Sequence, residues 1–201
     1  MWTWRLNWNV VRPDLVIGSC PRASSDLAVL QVKAGVSALL SLQHDECLER
    51  LEIDYPSHVR HGRALGLTLA RVPLRDFDPE DQRRGLPDAV RALHGLLRQQ
   101  HRVYVHCTAG INRSPLVVLA YLTLVEGQAV EAATALLQHA RPEIYPTWEA
   151  YHGCLQDLTA RHANRIHQRA AELGRGPAPL EPAECWRQAE RKIWREALVG
   201  E

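Results

Sequence analysis

The amino-acid sequence predicts an α/β sandwich, a mainly parallel sheet flanked by helices and followed by a helical C-terminal extension. Three observations carry that expectation. Short apolar runs of strand length alternate with longer stretches of helical period between residues 15 and 160, and glycines and prolines fall at the joints. Of the 201 residues, 46% are hydrophobic, enough to build one substantial core.

Taken in order, "LVIGS" from Leu15, "VSALLSL" from Val36 and "LTLARVPL" from Leu67 read as strands. "ASSDLAVLQVKAG" between the first two reads as a helix, with serines near its start, Leu27, Leu30 and Ala34 on one face and Gly35 as its stop. After Pro87, "DAVRALHGLLRQQH" keeps Val90, Leu93, Leu96 and Leu97 at helical spacing, and "RVYVH" follows as a buried strand. "SPLVVLAYLTLVEG", ended by Gly127, and "AVEAATALLQHARP", ended by Pro142, are helical, and residues 147–174 read as one long final helix. Residues 174–184 form a proline- and glycine-rich linker. Beyond it Trp186, Ala189, Ile193 and Ala197 keep helical spacing, which predicts a helix packed on the core. The expected division is a main α/β domain over 1–160 and a C-terminal helical extension over 161–201.

A formal charge of +1 gives no global field toward nucleic acid or an anionic membrane, so any anion site has to be local. No apolar run reaches the roughly 20 residues a spanning helix needs. Five cysteines without paired spacing, and an opening "MWTWRLNWNV" without the marks of a signal peptide, point to a reduced, cytoplasmic setting. Neither a nucleic-acid nor a membrane partner is expected, and oligomeric state stays open.

The chemistry centres on "VYVHCTAGINRSP", Val103 to Pro115. Cys107 and Arg113 make a C-x5-R spacing, which means little by itself in a chain this rich in arginine. A second copy, "CWRQAER" from Cys185 to Arg191, shows why: it has no preceding strand and no glycine, and Glu190 adjoins its arginine. The first copy differs. A strand delivers Cys107 to the carboxyl edge of the sheet, and the helix that begins near Arg113 points its positive end back at the thiol. The amides of Thr108, Ala109, Gly110, Ile111 and Asn112 can then turn inward as a nest of donors for phosphate. The same donors favour thiolate over thiol.

The reaction these groups suit is phosphoryl transfer to sulfur, with Cys107 as nucleophile, Arg113 as a bidentate clamp on phosphate oxygens, and no metal or cofactor. Ser114 either hydrogen-bonds the departing sulfur in the second step or caps the helix. His106 is expected to order the loop. A carboxylic acid must protonate the leaving oxygen, and "LRDFDPEDQRR" offers Asp76, Asp78, Glu80 and Asp81 on one loop, which position alone does not separate.

These residues resemble the cysteine-dependent dual-specificity phosphatases, and most of all the plant-type glucan phosphatases that act on starch or glycogen. The resemblance rests on "LVIGSCPRASSDLAVL", "LLSLQHDECLERLEIDY", "RDFDPEDQRRGLPDAV" and "RVYVHCTAGINRSPLVVLAYL", and covers roughly Trp8 to Leu158. It implies a compact protein-tyrosine-phosphatase-like fold, Asp76 as the general acid, Phe77 as a platform for a sugar ring, and a helix near the site over residues 56–66. Further sugar contacts would come from Trp8, Tyr145 and Trp148. The chain departs from that pattern at three places: Asn112 replaces a usual second glycine, Arg50 and Leu51 stand where plant enzymes carry aromatics, and Ser41 stands where some carry a cysteine able to pair with the nucleophile. A phosphorylated polysaccharide is the first substrate reading and a phosphoprotein the second. An RNA 5'-triphosphatase and a non-catalytic phosphate-binding module are the remaining alternatives.

Overall fold

A computed structural model describes residues 4–176 and 180–200. Five strands form one sheet in the order β1-β2-β5-β3-β4: β1 (Trp8–Arg12), β2 (Leu15–Gly18), β3 (Ala38–Gln43), β4 (Thr68–Leu74) and β5 (Val103–His106). All neighbours are parallel except β1, which joins the edge antiparallel to β2. Side chains along a strand alternate between faces. Leu15 and Ile17, Ala38, Leu40 and Leu42, and Val103 and Val105 enter the larger core, whereas Val16, Leu39 and Tyr104 face Leu27 and Leu30 on the opposite side. Cys107 continues the parity of Val103 and Val105 and ends the strand on the larger core's face.

The helices are α1 (Ser24–Ala34), α2 (Asp45–Arg50), α3 (Tyr55–Ala64), α4 (Pro79–Arg98), α5 (Arg113–Ala120, continuing in a π-helical turn over Tyr121–Val125), α6 (Val130–Ala140), α7 (Trp148–Arg161), α8 (Ala163–Gly174) and α9 (Pro182–Val199). Several expectations need correction. Strand β1 and helix α2 were not foreseen. Helix α4 starts at Pro79 and not after Pro87, because Asp78 caps it, Pro79 occupies the first turn, and the fully buried stripe of Leu86, Ala89, Val90 and Leu93 carries it past the interior proline. The long final helix is two, broken at His162, which lets α8 turn and pack on α9 through Ile166, Ala189 and Ile193. Part of the expected linker, residues 177–179, lies outside the described residues, and its end from Pro182 is already helical. Helix α9 returns to the body of the molecule: Leu198 is buried in the larger core, its carbonyl accepts from Arg91 Nε at 3.1 Å, and Trp194 Nε1 donates to Thr159 at 3.2 Å.

Candidate active site

The loop from Cys107 to Arg113 joins β5 to α5 at the carboxyl edge of the sheet. Its turn depends on Gly110, which has φ +75°, a conformation that side chains rarely tolerate; a Cβ there would also stand 2.5 Å from the carbonyl of Gly18. The loop is braced on every side. Cys20 N–H donates to Thr108 O at 3.0 Å, and the buried Arg141 donates to Ala109 O at 2.9 Å while holding the Asn7 and Asn9 side chains. Gln43 reaches Thr108 Oγ1 at 3.4 Å.

Inside the loop lies Cys107, only 2% exposed. Its sulfur accepts from Gly110 N–H at 3.3 Å and lies 3.5 Å from Ser114 Oγ. Burial alone would raise this thiol's pKa. The charge of Arg113, helped by Ser114 and the Gly110 amide, overcomes that effect and lowers it. Ser114 is no helix cap: Asn112 occupies that position, and the serine hydroxyl faces the sulfur. His106 stays neutral, its pKa pushed down to about 4 mainly by burial, and its Nδ1 lies 3.2 Å from Cys107 O.

Arg113 is completely buried. It donates to Leu74 O at 2.9 Å and Leu42 O at 3.5 Å, to Cys47 Sγ at 3.3 Å and to Thr108 Oγ1 at 3.2 Å. These bonds fix its fork in place and leave one donor, Nε, without a protein partner. Of the four loop carboxylates only Asp76 reaches this centre, 3.1 Å from Arg113. The others are accounted for elsewhere. Asp78 caps α4 through Asp81 N–H, Asp81 accepts from Arg75 N–H, and Glu80 pairs with Arg83.

A cleft of about 320 Å³ opens over the centre, lined by Glu46, Cys47, Arg50, Leu51, Asp76, Phe77 and Thr108. Phe77 is 77% exposed and has φ 53°, a strained conformation for a bulky residue that turns the loop between Asp76 and the α4 cap. The other three expected aromatic contacts do not line this cleft. Trp8 packs on the α1 side of the sheet, and Trp148 packs on Tyr151 and His152. Tyr145 is exposed and borders the phosphate loop through its backbone, its N–H donating to Ile111 O at 2.7 Å. Asn112 adds a role through its side chain. Its side-chain amide donates to Tyr145 O and Thr147 Oγ1 and accepts from Gln82, so that group braces the loop from within and is not offered to a substrate. The residues around α3 are helical, as the resemblance implies.

Sequence reasoning missed Gln82, Cys47 and Arg141, whose roles depend on partners far away in the chain. Among the described residues no group of three histidine, cysteine or acidic side chains converges to hold a metal.

Comparison with known proteins agrees with this geometry. Residues 19–156 match the family described as dual specificity phosphatase, catalytic domain. Phosphoglucan phosphatase DSP4, amyloplastic, of Castanea sativa is 34% identical over 155 residues, 76% of this chain and 41% of that protein. Laforin of Mus musculus is 27% identical over 178 residues, 84% of this chain and 54% of that protein. The chain thus spans about half or less of the length of these curated relatives. Among solved structures, PTPMT1 superposes with a TM-score of 0.60 at 20% identity, covering 78% of this chain and 99% of that one. Human DUSP28 does so with a TM-score of 0.56 at 25% identity, over 74% and 90%. The fold is therefore the protein-tyrosine-phosphatase-like one that the resemblance implies, and the chain belongs to the dual-specificity phosphatase family.

Proposed function

We propose that the protein hydrolyses phosphate monoesters through a cysteinyl-phosphate and that its substrate is a phosphoglucan. The observation that carries the chemistry is the buried Cys107 sulfur with its pKa lowered by Arg113, beneath a carboxylate that touches the same guanidinium. Cys107 thiolate attacks phosphorus as the bond to the leaving oxygen breaks, and Asp76 gives that oxygen its proton. The incoming phosphate displaces the Asp76 carboxylate from Arg113, and the side chain, carrying a proton taken from solvent, turns to face the leaving group as the acid. Loop amides and Arg113 stabilise the equatorial oxygens. In the second step Asp76 takes a proton from water, water oxygen bonds to phosphorus, and Cys107 departs as thiolate toward the Ser114 hydroxyl. A reducing, cytoplasmic setting belongs to the same proposal, because the nucleophile must remain a free thiolate.

The glucan reading is supported by the relatives and by Phe77, the chain's only phenylalanine, held exposed on the cleft wall. Apolar sugar faces stack on such a ring. A phosphoprotein is the second reading, favoured by the charged Glu46 and Arg50, which also line the cleft and suit a peptide. Release of phosphate from solubilised phosphorylated amylopectin, measured beside release from phosphotyrosine peptides, decides between them. Preference for the peptides would remove the glucan reading while leaving the chemistry intact.

A further inference from the structure

We propose that Gln82 and Asn112 are positioning residues that hold the acid loop in register with the phosphate loop. The inference rests on Asp76 being the general acid. Asp76 is useful only if its carboxyl is delivered above Cys107, yet its loop is exposed and its neighbour Phe77 is conformationally strained. What fixes the loop is the first turn of α4. Arg75 N–H donates to Asp81 Oδ2 at 2.7 Å, and Arg75 O accepts from Gln82 Nε2 at 2.9 Å. The same Gln82 nitrogen donates at 3.1 Å to Asn112 Oδ1.

A closed ring results. Asp76 follows Arg75 in the chain, Arg75 bonds to Gln82, Gln82 bonds to Asn112, Asn112 precedes Arg113, and Arg113 meets Asp76 at 3.1 Å. The amide orientations in it are forced. Asn112 Nδ2 donates to Tyr145 O at 2.8 Å and Thr147 Oγ1 at 2.9 Å, which turns Oδ1 toward Gln82. Flipping Gln82 would set its oxygen against two acceptors and lose both bonds. Gln82 is completely buried and Asn112 nearly so, and breaking a buried pair of this kind leaves a polar group unsatisfied. A glycine at 112 would have no side chain with which to form the bond, which gives this departure from the usual loop a physical reason.

The test measures kcat and KM for a series of aryl phosphates, from dinitrophenyl to alkylphenyl, in Gln82→Met, Asn112→Gly, the double variant and Asp76→Asn. Only a poor leaving group needs the acid. Displacing it by a fraction of its reach should lower kcat/KM, which reports formation of the cysteinyl-phosphate, by roughly 10- to 100-fold for the poorest leaving group while sparing the best one. The double variant should lose no more than the worse single, since both break one link. Thr147→Val removes one acceptor of Asn112 Nδ2 but leaves its bond to Tyr145 O to hold the amide toward Gln82, and should keep the wild-type dependence on leaving group. Should Gln82→Met not fold, Asn112→Gly and Asn112→Ser read the same bond from its other end. Equal losses across the series, or an unchanged dependence, would overturn the inference if Asp76→Asn steepens it. A flat dependence in Asp76→Asn would instead refute the acid assignment, and the inference with it.

Discussion

Two segments of this chain share the C-x5-R spacing and nothing else. From Cys107 to Arg113 the spacing crosses from a strand to a helix, so both side chains converge on one point: the sulfur and the guanidinium are buried together. From Cys185 to Arg191 it lies wholly inside α9, where six residues carry the chain more than one and a half turns and set the two side chains apart. Cys185 is buried and points its thiol at Leu180 O, 3.4 Å away, while Arg191 is exposed. The difference teaches that the spacing acts only through the turn between. The turn at Gly110, whose amide faces the sulfur, brings a cysteine and an arginine together, and a continuous helix cannot.

The comparison breaks most severely at the nucleophile. Cys107→Ser should lower turnover by roughly 10⁴-fold or more while phosphate-analogue binding, read by calorimetry, persists, because a serine hydroxyl does not ionise there. Activity near wild type would end the covalent mechanism. Next comes the acid: Asp76→Ala should reduce kcat/KM roughly 10²- to 10⁴-fold on a sugar phosphate and far less on nitrophenyl phosphate. Asp78→Ala should instead act on stability, by about 1 kcal/mol in urea titration, since Asp78 caps α4. A larger catalytic loss at Asp78 than at Asp76 would reverse their roles.

Smaller effects sharpen the contrast. Phe77→Ala should cut release from a polysaccharide several-fold more than release from nitrophenyl phosphate; equal losses would make Phe77 a prop for the acid loop and not a sugar platform. In thiol alkylation followed by mass spectrometry across pH, Cys107 should react below the range of an ordinary thiol, because its folded pKa is lowered. Cys20 and Cys154, pushed up to about 12 by burial, should stay unmodified at neutral pH. The least effect belongs to Cys185→Ala, which should leave kcat and KM within error despite its matching arginine. A substantial loss there would mean that the second copy takes part after all.

What could be read from the sequence follows the range of the forces involved. The change from strand run to helix period around Cys107, with a glycine between, is local, so the phosphate loop and the direction of α5 were both legible. The choice of Asp76 among four carboxylates was not available from the residues alone and came from family resemblance; the structure separates them by partners, since Asp78, Glu80 and Asp81 each serve another group. Helix α4 was started too late because Pro87 reads as a breaker, and the burial that overrides it is tertiary. Gln82, Arg141 and Cys47 gave no local signal. Gln82 meets Asn112 across 30 residues, and Arg141 meets Asn7 across 134.

The central claim is that placement, and not spacing, makes Cys107 the phosphoryl acceptor. It is tested most directly by rapid acid quench during turnover of an aryl phosphate, followed by peptide mass spectrometry. The account predicts one phosphoryl group on the Cys107 peptide, absent in Cys107→Ser, and none on the Cys185 peptide. Turnover without any phosphoryl group on Cys107, or with that group on another residue, would contradict it.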